Sequence, residues 1–338
     1  MKAVILEKLD SDLTVGDIEL TPLQYGQVLV KNLVSGLCGA QLQEISGLKG
    51  NANFLPHLMG HEGCGIVQEV GVGVNTVKVG DKVVMHWRKG DGIEAPFPSY
   101  IYNGNKMSSG KVTTLSEYSI VSENRLTTVP DDTPEELCAL LGCGLTTALG
   151  VITNEADVKF GESVLIIGSG GVGVNLIQGA KLASAHPIYA VDVIEEKRDL
   201  CLAIGATEFI NSTTTSIDRK FDVIIDTTGI PSVLSSAIEL LSGKGRLILV
   251  GQPKPGQDVN IPNANKLFEG SGKVIRATQG GMTSPTDDIP RYINLHKSGL
   301  LDISKIITHR FDIDDINEAF KLLRSGKAGR IMVNINNK

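Results

Sequence analysis

The sequence predicts an α/β protein in two parts, a β-rich domain joined to a doubly wound domain built on a parallel sheet. Three observations carry this reading. Residues 1 to about 130 fall into short β-like segments separated by many turns, and residues beyond Gly161 alternate between apolar strands and helices. A glycine-rich turn, Gly168-Ser169-Gly170-Gly171-Val172-Gly173, stands at the head of the alternating part. With 338 residues, 41% of them hydrophobic, the chain can fill two cores.

The β-rich part starts at Ala3-Val4-Ile5-Leu6 and continues through strands expected at 27–34, 65–70 and 82–85. The alternating part predicts strands at 164–167, 188–192, 223–226 and 246–250, with helical periodicity over 174–182. Helices expected at 289–298 and 313–325 lead to a last strand at 330–335, with no internal repeat.

The turn follows the apolar run Val164-Leu165-Ile166-Ile167 directly, and a helix follows the turn. In that context Gly168 permits the tight bend, Gly170 lets backbone approach a pyrophosphate, and Gly173 lets the helix pack closely on the strand. Gly171 and Val172 open the helix, whose N-terminus favours the anion. The next strand ends at Asp192, nineteen positions after Gly173. Its carboxylate can accept hydrogen bonds from ribose hydroxyls and repels a 2′-phosphate, so the pattern predicts NAD in preference to NADP.

Charge and composition exclude other classes. The net charge of -6 is spread among interspersed acids and bases, which gives a nucleic-acid surface no support. No apolar stretch approaches the roughly twenty residues a bilayer requires, and the start is strand-like rather than a signal peptide, so a cytoplasmic protein without a membrane partner is expected. Five cysteines, at 38, 64, 138, 143 and 201, are too scattered for a disulfide framework; metal ligation or burial must explain them.

Three of the β-rich part's short motifs are Gly36-Leu37-Cys38-Gly39, Gly60-His61-Glu62-Gly63 and Gly142-Cys143-Gly144. Two thiolates and one imidazole suit zinc with a fourth position left for water or substrate, where the metal polarises an oxygen. Oxidation of an alcohol by NAD needs that chemistry. A lone cysteine is more often a small buried apolar residue, so spacing alone leaves both readings open.

Together with Val79-Gly80-Asp81-Lys82-Val83, Leu145-Thr146-Thr147, the glycine turn and Gly329-Arg330, these motifs make the chain resemble the zinc-dependent alcohol dehydrogenase branch of the medium-chain dehydrogenase/reductase superfamily, over its whole length. The resemblance implies a GroES-like catalytic domain of residues 1–144 and 281–338, with a Rossmann NAD-binding domain of residues 145–280 between them, and zinc and nicotinamide meeting in a cleft. It implies Cys38, His61 and Cys143 as the ligands of one catalytic zinc per chain, and Glu62 as an acid able to approach the metal during ligand exchange. Arg330 matches a basic residue near the pyrophosphate and Lys197 one near the adenosine ribose. The strand at 246–250, followed by Gln252-Pro253 and residues 258–261, resembles the edge region through which such domains pair, so a homodimer or homotetramer is expected.

Departures from the family pattern are equally informative. Ala40 stands where a proton-relaying Ser or Thr is usual, Gln41 where an Asp orients the zinc-bound histidine, and Gln43 where an outer relay histidine is common. The Gln41 amide oxygen can still accept one hydrogen bond. Glu44, His57 and His86 are the remaining candidates to move a proton through water. The four closely spaced cysteines of a structural-zinc lobe are absent, since residues 86–122 contain none. In their place stand His86-Trp87-Arg88; Trp87 matches a substrate-lining aromatic or is an ordinary core residue. Ala40, Trp87 and Arg88 are the candidate substrate pocket, and Arg88 suits a sugar-, polyol- or phosphate-bearing substrate. The alternatives are a zinc-free quinone or enone reductase of the same superfamily, and an NAD-binding sensor without turnover.

Overall fold

The computed structural model describes residues 1–335, and the chain divides into two compact units, 1–146 with 284–303 and 307–338, and 147–283 with 304–306.

The first unit holds two sheets. A six-stranded sheet runs Thr14–Asp17, Lys2–Leu6, His57–Leu58, Asn105–Ser108, Ser99–Tyr102, Glu19–Leu20. A seven-stranded sheet runs Leu126–Thr128, Lys82–His86, Glu62–Val70, Gln27–Gly36, Arg330–Asn334, Ile307–Asp312, with Tyr118–Ser122 also on Gln27–Gly36. The expected strands are all present, and Gln27–Gly36 is two residues longer than its apolar alternation suggested. The helices Gly39–Ile45 and Ile316–Ser325 bury Ile45, Ile316 and Phe320 against Leu6, Leu37, Ile331 and Val333, one continuous apolar core. The second helix begins three residues later than expected, because Ile313–Asp315 forms a 3₁₀ turn. Helix Pro285–Lys297 begins four residues earlier than expected, with Pro285 in its first turn and Asp287 and Asp288 complementing the helix dipole.

The second unit is a six-stranded parallel sheet in the order Glu208–Asn211, Ile188–Asp192, Val164–Ile167, Phe221–Asp226, Leu241–Leu249, Val274–Ala277. The chain enters at the middle strand, builds one side and then the other, so its order reverses between Val164–Ile167 and Phe221–Asp226. Ligands of open α/β sheets bind beyond the carboxyl ends of strands at such a point. One expectation is corrected here. Residues 258–261 are irregular, and the sheet's edge is Val274–Ala277, whose four residues are all exposed. A strand with so little burial on either face carries no hydrophobic period to announce it.

Candidate metal and dinucleotide sites

Strand register brings the three candidate metal ligands together. In the seven-stranded sheet Ser35 lies opposite Gly63, so Cys38, just past one strand, and His61, just before its neighbour, emerge at the same end. Helix Glu135–Leu141 packs on Gln27–Gly36, Glu62–Val70 and Lys82–His86 and stops at Gly142, which delivers Cys143. The ligating atoms of Cys38, His61 and Cys143 all lie within 4.8 Å of one another. A tetrahedral zinc, about 2.3 Å from sulfur and about 2.0 Å from nitrogen, sets ligand atoms just under about 4 Å apart, so this donor set fits the ion.

Electrostatics agree with a cation there. The Cys143 thiol donates a hydrogen bond to Cys38 and, with a further contribution from His61, holds the Cys38 thiol well below its ordinary value despite burial. Burial disfavours a charged His61, yet the hydrogen bond and charge of Cys38 outweigh it and raise the imidazole to about 9. Negative sulfur is thus stabilised before any metal enters.

Beneath this group lies a fully buried ion pair. Arg330 Nη2 donates to Glu62 Oε1, and the Gly144 N–H donates to Glu62 Oε2 at 3.1 Å. Burial pushes the Glu62 carboxyl up, and the Arg330 charge opposes that shift. Small residues make the space: a Cβ on Gly36 would sit 2.6 Å from Glu62 Oε1, and one on Gly144 2.8 Å from Arg330 Nη1. The carboxylate expected to serve as exchange ligand therefore faces Arg330 and Gly144 and does not join the donor group. The partner observed for Arg330 is Glu62, where the resemblance suggested a pyrophosphate. Sequence reading did not pair these two residues, 268 positions apart; the glycines at 36 and 144 were the available signal.

Gln41 also differs from expectation. Its Oε1 accepts the Cys38 N–H at 2.8 Å and its Nε2 is buried without a partner, so the amide oxygen expected to orient His61 is occupied. Cys38 is the N-cap of helix Gly39–Ile45 and Gln41 is its third residue, the position from which a Gln reaches back to the capping N–H. Ala40 follows the metal ligand by two residues on the same helix.

Of the three proton candidates, His86 is corrected to a structural residue. It is 1% exposed; its Nδ1 meets the Arg88 carbonyl at 2.7 Å and its Nε2 the Thr127 hydroxyl at 2.9 Å. A carbonyl needs a donor, so the neutral ring carries its proton on Nδ1 and accepts from Thr127. Burial then pushes the imidazole down to about 4. His57 is buried, with Nδ1 2.8 Å from the Leu58 carbonyl. Glu44 is half-buried, 3.7 Å from Lys49, and its charge acts on His61. Trp87 is half-buried against the cluster of Val28, Val30, Val83 and Met85, and the Arg88 guanidinium lies 5.7 Å from its ring centre.

The second unit carries the glycine turn at the carboxyl end of Val164–Ile167. Gly168 has φ +89, and a Cβ there would strike the Thr227 hydroxyl. A Cβ on Gly173 would strike the Gly168 carbonyl oxygen, whereas one on Gly170 would meet nothing within 4 Å. Gly170 caps helix Gly171–Leu182 and borders open space, a cradle that fits an anion at a helix N-terminus. Asp192 ends the adjacent strand: Oδ2 accepts the Ser169 N–H at 2.8 Å and Lys197 Nζ at 3.0 Å, and Oδ1 accepts the Ile194 N–H at 3.0 Å. Asp192 and Lys197 are thus tied to the turn, and the carboxylate keeps acceptor capacity. Asp226, at the end of Phe221–Asp226, was not anticipated; it is fully buried and fixes the next turn through Thr228 and Gly229.

Among the described residues no single helix is long and apolar enough to cross a membrane.

Comparison with known proteins follows this division. The family described as "Alcohol dehydrogenase GroES-like domain" matches residues 24–131, and "Zinc-binding dehydrogenase" matches residues 171–298. An S-(hydroxymethyl)glutathione dehydrogenase of Photobacterium damsela subsp. piscicida is 30% identical over 361 residues, covering 95% of this chain and 96% of its own. One from Komagataella pastoris is 28% identical, covering 98% and 97%. The benzyl alcohol dehydrogenase of Acinetobacter calcoaceticus superposes with a TM-score of 0.90 at 26% identity, covering 99% of each chain. An alcohol dehydrogenase zinc-binding domain protein from Burkholderia ambifaria gives 0.92 at 26% identity, again over 99% of each. With a zinc-fitting Cys-His-Cys group in one unit and a dinucleotide turn in the other, the chain belongs to the NAD-dependent, zinc-dependent alcohol dehydrogenase branch of the medium-chain dehydrogenase/reductase superfamily.

Proposed function

We propose that Cys38, His61 and Cys143 hold the zinc of an enzyme that exchanges hydride between NAD(H) and a polar, sugar- or polyol-like or anionic alcohol or its carbonyl. The observation that carries the reading is the convergence of those three donor atoms. Zinc so held supplies Lewis-acid polarisation of the substrate oxygen, and the nicotinamide supplies or accepts hydride. The chain's own residues do the rest. Backbone N–H groups at Gly171 and Val172 face the pyrophosphate, and Asp192 receives ribose hydroxyls with Lys197 beside it. Glu62, held by Arg330 and the Gly144 N–H, braces the turn that carries Cys143. Ala40 cannot relay a proton, so the half-buried Glu44, whose charge already acts on His61, takes it through water.

Support for a polar substrate comes from Arg88 beside Trp87, and from the Trp87 N–H, which donates to the Gly142 carbonyl at 3.4 Å next to Cys143. Relatives named for S-(hydroxymethyl)glutathione fit an anionic substrate. The exposed edge Val274–Ala277 supports pairing of two chains into a homodimer, which sedimentation would read. Thiolate ligands suit the reducing cytoplasm.

The deciding experiment measures zinc per chain on freshly purified protein beside Cys38→Ser and Cys143→Ser, with NADH production from polyols, sugars, S-(hydroxymethyl)glutathione and benzyl alcohol. About one zinc, lost in both variants, and turnover of the polar alcohols are expected. Arg88→Ala should raise KM for an anionic substrate about tenfold and leave a neutral alcohol nearly unchanged; equal effects on both reject the pocket assignment.

A further inference from the structure

Residues 87–97 form an irregular segment with no strand or helix of its own, in the stretch where the family's structural-zinc cysteines are missing. Such a segment needs cross-links, and here two carboxylates supply them. Glu123, fully buried, accepts the N–H groups of Asn75 at 2.7 Å, Thr76 at 2.8 Å and Ile93 at 2.7 Å. Glu94 accepts Asn124 Nδ2 at 2.7 Å and faces Arg125 at 3.3 Å, Lys89 at 3.4 Å and Lys111 at 3.5 Å. Although partial burial works against its charge, the Asn124 hydrogen bond and the three cations hold the Glu94 carboxyl down at about 2.

The grip extends to the substrate side. Arg125, buried, reaches Glu94 with Nη2 and donates Nη1 to the Trp87 carbonyl, while the Trp87 N–H is bonded to Gly142 beside the ligand Cys143. Trp87 is therefore fixed at both of its backbone groups, by Arg125 on one side and by the metal-bearing turn on the other. The cationic fork of Arg125 has two jobs, and only an anion at Glu94 holds the fork in place for the second.

We propose that Glu94 is a positioning residue: through Arg125 it sets the place of Trp87 and Arg88 next to the metal group, and its carboxylate does for this lobe the cross-linking that a metal does elsewhere. The part of this that concerns substrate rests on the assignment of Trp87 and Arg88 to the pocket; the part that concerns Trp87 itself does not.

Trp87 is the chain's one tryptophan, so its emission reads the loop directly. Glu94→Gln keeps an acceptor for Asn124 and removes the charge; Arg125→Lys keeps a charge and removes the fork. In the zinc-loaded enzyme both should red-shift Trp87 emission, lower its anisotropy and raise KM severalfold, with kcat and zinc content close to wild type. High salt should move wild type part of the way towards Glu94→Gln and leave Glu94→Gln itself unchanged, because it screens the partly exposed cations. Unchanged Trp87 emission in both variants, with folding intact, overturns the proposal whatever the kinetics. Should Glu94→Gln fold poorly, the salt titration of wild type and Arg125→Lys decide alone. A shifted emission with unchanged KM upholds the clamp and instead removes Trp87 and Arg88 from the substrate pocket.

Discussion

At Arg330 a permanent charge is buried at 1% exposure beneath the Cys38 and Cys143 sulfurs, and Glu62 is its compensation. A buried pair of this kind adds little over an apolar pair of the same shape, yet removing one member strands the other. Arg330→Met should cost about 3–5 kcal/mol in denaturant unfolding, and Glu62→Gln in the same chain should restore most of it. Additive losses in the double variant would show that the pair is not coupled. His86 gives a pH prediction. Its imidazole is held at about 4 in the fold against 6.5 unfolded, so its contribution is complete above 6.5 and disappears as pH falls towards 4. At about 1.36 kcal/mol per pH unit that is about 3 kcal/mol, and His86→Gln should flatten the acid arm of the stability curve by that amount. The candidate ligands were legible only through the family resemblance, because a lone cysteine is more often a small buried apolar residue and spacing alone left both readings open. What His86, Gln41 and Arg330 do was not, because each role depends on a partner chosen by strand register or a helix start: Thr127, the Cys38 N–H and Glu62.

Elements turn sequence proximity into chemistry in two different ways. In the second unit strand, turn and helix are consecutive, so Val164 to Leu182 could be read as one unit and Asp192 placed on the neighbouring strand. In the first unit Cys38, His61 and Cys143 meet only because Gln27–Gly36, Glu62–Val70 and the helix Glu135–Leu141 pack on one another, and nothing local to any one of them announces the others. The exposed strand Val274–Ala277 escaped for the opposite reason, since it buries no face. The consecutive element makes a sharp prediction. Gly173→Ala drives a methyl into the Gly168 carbonyl oxygen, a backbone atom held by the tight turn. NADH affinity in a fluorescence titration should fall at least about tenfold, or about 1.4 kcal/mol, while zinc content stays at wild-type level. Loss of zinc together with NADH binding would mean that the substitution had unfolded more than the turn.

Across the whole molecule each unit has apolar clusters of its own, and none of the clusters among the described residues contains Cys38, His61 or Cys143. Leu6, Leu37, Phe320, Ile331 and Val333 anchor one; Leu165, Ile224, Phe221 and Leu247 anchor the other. The carboxylates Glu94 and Glu123 hold the lobe that would otherwise need a metal. Zinc is therefore expected to be added to a fold that stands without it, in contrast to small domains whose folding free energy is the metal's binding free energy. Chelation should then abolish NAD-dependent turnover but leave far-UV circular dichroism and NADH binding intact, because the glycine turn and Asp192 belong to the second unit. The melting temperature should still drop, since a ligand that binds only the native state stabilises it in proportion to its saturation, and a concentration a hundredfold above Kd adds about 2.7 kcal/mol. Re-addition of zinc should restore both turnover and melting temperature. Collapse of the circular dichroism on chelation would show instead that Cys38, His61 and Cys143 hold the first unit together, and that its core depends on the metal.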